Sequence, residues 1–311
     1  LANWLASGYP LLEGGEGIGL KYITNNTLLI PSNTTVDLKG ATLQSGESMT
    51  GDLAANGRII SFISADKATV KNGTLKKGTA DYDPPQNYWG CAVIFDNSDN
   101  CTIDNITLDY DYTIADVDDT LIHGFIVANS NNSRIIHSTF KKVGANYAAI
   151  QSNGTLVYDN TFIDTPFNAL SCNPSVNADG NFSSGHKILY NKFYSIGRIA
   201  IEDFGNVQGT IIEGNEIYGA GFTGTESRHG MGVSAVGQNT LIKKNIIRNI
   251  SGYAGIETPA NLGNTVEDNI IDMNTCFIFL QTHRLPINPQ SFERLENAVV
   301  LVPSKQIRLT G

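Results

Sequence analysis

Three stretches of this chain repeat one pattern. They are Gly209-Thr-Ile-Ile-Glu-Gly-Asn-Glu-Ile217, Asn239-Thr-Leu-Ile-Lys-Lys-Asn-Ile-Ile247 and Gly263-Asn-Thr-Val-Glu-Asp-Asn-Ile-Ile271. Each places an asparagine three residues after a shared apolar position: Asn215, Asn245 and Asn269. The same frame gives Asn160 and Asn191 upstream. Beyond them it gives Ala41, Gly73, Ile106 and Ser138 in the asparagine slot. Successive slots lie 32, 33, 32, 22, 31, 24, 30 and 24 residues apart. Self-similarity at a period of roughly 20–50 residues marks a solenoid.

The shortest spacings set the minimum coil, and the longer ones imply insertions at a corner. A coil of 22–24 residues is too short for a βαβ unit, which needs about 30. Short alternating apolar runs such as Val36/Leu38 and Ile103/Ile106/Leu108 have the period of strands, not helices. The leucine-rich-repeat consensus is absent. The pattern therefore predicts an all-β right-handed parallel β-helix of about nine or more coils, each strand about 4.8 Å from its neighbour. Asparagine at one corner of every coil suits left-handed backbone angles and amide bonding to the next coil.

The ladder spans most of the 311 residues, so a single elongated domain is expected. Residues 1–26 form an N-terminal cap, 27–275 the coils and 276–311 an irregular C-terminal cap or subunit contact. An open β-helix end is an unpaired edge that needs covering. Leu1 to Gly8 reads as a short capping helix, with Trp4 and Leu5 as its cover. Neither an initiator Met nor a signal sequence is evident, which reads as a mature or trimmed form.

The formal net charge is -9, with only 16% charged residues. That argues against nucleic acid, which selects basic patches, and against an anionic membrane surface. No apolar run approaches a spanning helix. Cys91, Cys101, Cys172 and Cys276 form no Cys-x-x-Cys pair and read as small buried residues, not metal ligands. No cofactor and no metal site is expected. The acidic stretch from Asp109 to Asp119 could offer carboxylate oxygens to a hard cation, but it lacks EF-hand spacing and reads first as a solvated loop.

The stretch Leu28-Leu-Ile-Pro-Ser-Asn-Thr-Thr-Val-Asp-Leu-Lys-Gly-Ala-Thr-Leu43, preceded by a short helix pattern and followed by asparagine-marked coils, resembles the pectate-lyase-like β-helix superfamily. Within it, the style is similar to phage tailspike and depolymerase domains and to bacterial polysaccharide lyases, hydrolases and epimerases. The resemblance implies a polysaccharide substrate, an extracellular or virion-surface location and, after tailspikes, a homotrimer. No catalytic constellation of the superfamily is matched, so no catalytic residue carries over.

Site residues must come from the repeat itself. A second strand of each coil carries the frames Ala149-Ile-Gln151, Ala169-Leu-Ser171, Ile199-Ala-Ile-Glu202, Gly232-Val-Ser234 and Gly255-Ile-Glu257. The apolar member should face inward and the next residue outward. This predicts an exposed ladder of Gln151, Ser171, Glu202, Ser234 and Glu257, with apolar Ile94 and Ile126 near the slot upstream. Glu202 and Glu257, two rungs apart, would have backbones about 9–10 Å apart. That separation suits an inverting glycoside hydrolase better than a retaining one. Asp203 is an alternative partner carboxylate. The insertion Gly221-Phe-Thr-Gly-Thr-Glu-Ser-Arg-His-Gly230 would lean Glu226, Arg228 and His229 over the groove. There Arg228 could clamp a sugar carboxylate and His229 act as acid or base. Arg198 adds a positive group, and Tyr88 and Trp89 offer a sugar-stacking loop. The resulting expectation is hydrolysis of a long polysaccharide. A lyase or uronate epimerase and a non-catalytic receptor-binding or adhesin domain are the alternatives.

Overall fold

The computed structural model describes residues 11–13, 19–46, 49–78, 90–112, 122–172, 183–222, 230–252, 254–259, 262–272, 277–281 and 307–308. Trp4, Leu5, Tyr88, Trp89, Glu226, Arg228, His229, Cys276 and most of the acidic stretch fall outside these residues. So does most of the expected C-terminal cap.

The described chain is a parallel β-helix. Three columns of strands stack coil upon coil. The first runs from Leu11–Glu13 through Thr35–Asp37 to Thr265–Glu267, and the second from Lys21–Thr24 through Thr42–Ser45 to Ile270–Asp272. The long strands Thr69–Lys76 and Thr102–Asp109 run through both columns and fuse them into one 19-stranded sheet. The third column, from Leu28–Leu29 to Phe277–Gln281, is a separate ten-stranded sheet. Every described pairing is parallel except Ile307–Arg308, which runs antiparallel to Ile270–Ile271.

Strand alternation fills the lumen. Val70, Ile103, Ile135, Val157, Ile188, Ile212 and Ile242 are successive register partners in the first column and are 0–1 % exposed. In the second column Phe140, Phe162 and Phe193 stack with ring centroids 5.1 and 4.9 Å apart. Phe62 and Phe95 do the same in the third, at 4.7 Å. A parallel register one coil apart sets these spacings, because like residues then sit directly above one another.

The corner between the first two columns holds the asparagines. Asn160, Asn191, Asn215, Asn245 and Asn269 are 0–1 % exposed. Each side-chain oxygen from Asn191 onward accepts from the backbone N–H and the amide of the preceding rung, at 2.8–3.0 Å. Each amide also donates to a carbonyl of an earlier coil, as Asn215 does to Ile188 at 2.9 Å. Ser138 continues the ladder upward, accepting from Ile106 N–H and donating nothing to Asn160 beyond its own N–H.

One expectation needs correction. The left-handed angle falls on the residue before each slot: His137, Asp159, Tyr190, Gly214, Lys244 and Asp268, with φ between 50° and 67°. The bend made there turns the following asparagine into the lumen, where its amide meets the next coil.

Strand pairing reaches into the segments expected as caps. Leu11–Glu13 and Lys21–Thr24 already pair with the coil strands that follow them. At the other end Phe277–Gln281 still extends the third column. The reason is that backbone pairing continues where the asparagine signature has stopped. The insertion over residues 46–62 holds a helix, Gly51–Asn56, closed by Gly57 at φ 67° and packed through Leu53. Among the described cysteines, Cys91, Cys101 and Cys172 are buried and free, as small core residues. No helix among the described residues is long and apolar enough to cross a membrane.

The asparagine ladder should carry measurable stability. Asn215→Ala strands the Asn191 N–H and amide and the Ile188 carbonyl in the lumen, at about 1–3 kcal/mol for each unsatisfied group. Asn215→Asp should cost a similar amount, because a carboxylate cannot donate to Asn245 or Ile188. Denaturant midpoints should fall clearly for both and hardly move for the surface variant Lys244→Ala.

Candidate functional site

The third column ends each coil on the face expected to bear the site. Its strands Leu170–Cys172, Ile199–Asp203, Met231–Ala235 and Ala254–Pro259 are in parallel register. Leu170, Ile201, Val233 and Ile256 point into the lumen. Their successors Ser171, Glu202, Ser234 and Glu257 are successive register partners. Glu202 and Glu257 therefore lie two rungs apart on one outward row, with their backbones about 9–10 Å apart.

The row is cross-linked. Ser171 Oγ donates to Glu202 Oε2 at 2.8 Å, and Asn168 Nδ2 donates to the same oxygen at 3.0 Å. Ser234 Oγ donates to Glu257 Oε2 at 2.9 Å. Serine and glutamate thus alternate along the row, and each serine hydroxyl orients the carboxylate of the next rung. Asn168, two residues before the strand, carried no recognisable signal. It belongs to a turn whose position only the fold sets.

The expected exposure of the ladder is not found. Ser171 is 0 % exposed, Ser234 4 % and Glu202 8 %; only Glu257 is half-buried. The side chains do point out of the lumen, but the outer face of this sheet is itself packed. Ile94, Ile126, Ala128 and Ile150 form an apolar cluster there, apart from the main core. Ile199, Met231 and Ala254 form another beside the glutamates.

Gln151 leaves the ladder as well. The preceding strand, Tyr147–Ile150, carries a register irregularity, so Tyr147 and not Gln151 pairs with Ser171. A bulge shifts which side chains face which way, and Gln151 falls at the left-handed bend beyond it, at φ 51°. The row thus continues upward as Tyr147, Ile126 and Ile94.

Asp203 is corrected too. It sits one residue beyond Glu202, so alternation turns it into the lumen. It is 0 % exposed and accepts hydrogen bonds from Thr210 Oγ1 at 3.0 Å and from Thr240 Oγ1. Burial pushes its carboxyl up to about 6, against the two threonine hydroxyls that favour the anion. It braces the corner between the third and first columns, on the opposite face of the strand from Glu202.

Arg198 immediately precedes the Glu202 strand and lies over the Phe167 ring, 4.9 Å from its centroid. Cation and ring stabilise each other in this arrangement. Glu226, Arg228 and His229 lie outside the described residues, as do Tyr88 and Trp89. Among the described residues no cluster of histidine, cysteine and carboxylate side chains could hold a metal ion.

The Asp203 arrangement has a pH signature. Its folded-state value lies above the ordinary 3.8, so the folded protein holds the proton more tightly. Stability from this group is full below about pH 4 and is lost as pH rises to about 6. Asp203→Asn should therefore gain on wild type across that window, by on the order of 3 kcal/mol for a shift of about two units. Paired denaturation curves at pH 4 and pH 7 measure the change; a constant difference sinks this account.

No protein-family model matches the sequence, and no curated protein matches it. Solved structures do resemble it. A surface adhesin of Streptococcus pneumoniae, PfbA, superposes with a TM-score of 0.59 at 15% identity, over 92% of this chain and 75% of that one. An Asp-to-Ala, Glu-to-Ala double mutant of the tailspike of E. coli bacteriophage HK620, in complex with a pentasaccharide, gives 0.53 at 11% identity, over 89% of this chain and 56% of that one. This chain thus spans only part of either protein. At such identities the likeness speaks for the fold: a parallel β-helix of the kind found in a bacterial surface adhesin and a phage tailspike.

Proposed function

We propose that this protein acts on a long extracellular or surface polysaccharide, and that Glu202 and Glu257 hydrolyse it with inversion. The observation that carries the reading is the row itself. Two carboxylates share one outward face in strict register, two rungs apart, each held by a serine hydroxyl. A gap of that size admits a water behind the anomeric carbon, as inverting enzymes require at roughly 6.5–9.5 Å between carboxyls. A tailspike of the same fold in complex with a pentasaccharide supports the substrate class.

In this mechanism Glu202, fixed at Oε2 by two donors, presents its other oxygen to the attacking water and takes its proton. Glu257, the more exposed of the two, protonates the leaving glycosidic oxygen. The water oxygen bonds to the anomeric carbon as the old C–O bond breaks. Arg198 would meet an acidic substituent of the sugar. Glu257 being more exposed than Glu202, the substrate would enter at the Glu257 end.

A second reading is a non-catalytic binding domain, as the adhesin's name would suggest. The 8 % exposure of Glu202 favours it. A lyase or epimerase would draw its base from His229 or Arg228, which lie outside the described residues. A homotrimer after the tailspike pattern would let a neighbouring copy complete the groove; sedimentation as a monomer overturns that version.

Incubation with a panel of bacterial polysaccharides, followed by reducing ends and by absorbance of unsaturated uronates, separates the readings. Hydrolysis predicts reducing ends without absorbance. Glu202→Gln and Glu257→Gln should each lose about 10²–10⁴-fold in rate. A substrate with an activated leaving group should restore Glu257→Gln and leave Glu202→Gln inactive. Full activity in both variants would falsify the site assignment.

A further inference from the structure

We infer that the outer face of the second column, together with the corner that leads into it, carries a separate glycan-binding platform built on Tyr190, Tyr218 and Phe222. The inference rests on the polysaccharide reading above but uses a different sheet from the Glu202 row. Strands Lys192–Ile196, Glu216–Ala220 and Ile246–Ile250 turn Phe193, Ile217 and Ile247 into the lumen. Alternation then turns Tyr194, Tyr218 and Arg248 outward, and these three are register partners on successive rungs.

The three rings are large and exposed, and Tyr190 and Phe222 are packed against the backbone beneath them. Tyr218 is 55% exposed, Tyr190 50% and Phe222 38%. Tyr190 lies against Gly214, where an added Cβ would come within 2.5 Å of its ring. The Tyr158 ring meets it edge-on at 5.9 Å and 79°. Phe222 covers Gly219 in the same way, 2.7 Å from where a Cβ would stand. Two glycines in one coil thus make room for one ring each, at the two ends of the strand that carries Tyr218. Rings already held in place lose little freedom when a ligand arrives.

The surrounding side chains choose the occupant. Lys192, Glu216, Arg248 and Asp272 are all exposed on this face. A stable protein interface is depleted of charge at its core, whereas this face mixes rings and charges. A glycan fits both parts. The C–H faces of its pyranose rings pack on aromatic rings, whose faces carry negative potential. Its hydroxyls hydrogen-bond to the charged groups between them.

The test is affinity electrophoresis through gels containing each polysaccharide of the panel, in a Glu257→Gln background so that the chain is not cut. The platform predicts that Tyr190→Ala/Tyr218→Ala/Phe222→Ala weakens retardation at least tenfold with an unchanged circular dichroism spectrum. Equal retardation with and without the three rings overturns the platform and leaves the polysaccharide reading standing. No retardation of the background protein by any polysaccharide overturns both. A change in sedimentation on removing the rings would mark the face as a contact between copies and overturn the glycan assignment. Should the triple variant misfold, the single variant Tyr218→Ala, which removes a ring from an open face, gives the same comparison.

Discussion

Every feature of this molecule depends on parallel register between coils. A strand in this fold has no partner within its own coil; its backbone groups bond to the coils above and below. A buried backbone N–H or C=O left unpaired costs about as much as a lost hydrogen bond, so each coil is stable only when its neighbours hold the same register. The asparagine ladder enforces that register at one corner. Asn215 bonds at once to Asn191, Asn245 and the Ile188 carbonyl. A coil shifted by one residue would lose all of these bonds and turn its apolar row out of the lumen.

The same register builds the candidate site. Glu202 and Glu257 are 55 residues apart in sequence, yet the coils place them two rungs apart on one row. Ser234 is the spacer between them and donates to Glu257, as Ser171 on the rung before donates to Glu202. Alternation separates neighbours just as sharply. Glu202 and Asp203 are adjacent in the chain, but one faces outward to Ser171 and the other inward to Thr210 and Thr240. A pair of acids in sequence is therefore no pair in space here. The aromatic face of the second column follows from the same rule applied to Tyr194 and Tyr218.

Much of this was legible from residue order. The slots at Asn160, Asn191, Asn215, Asn245 and Asn269 gave both the coil length and the amide ladder, because a buried corner with a fixed partner one coil away tolerates few side chains. The outward row was legible from Ser171 to Glu257 for the same reason. It failed at Gln151, where a bulge beside Tyr147 changed the facing of the strand without any glycine or proline to announce it. The left-handed bends fall one residue before the asparagines, where histidine, aspartate, tyrosine, glycine and lysine all occur, so no single residue type marks the position. The serine ladder formed by Ser98, Ser130 and Ser152 went unread, since serine is common in turns and its stacking shows only in three dimensions.

By itself, then, the sequence determined the period, the apolar interior and the corner that holds the coils in line. These are local alternations repeated often enough to leave one consistent fold. The tertiary structure alone decided burial on the outer face, the partners of Glu202 and Glu257, and the bracing role of Asp203. Each of these depends on what lies across a coil boundary or over a sheet, between residues tens of positions apart. Strand periodicity says which way a side chain points. It does not say what meets it there.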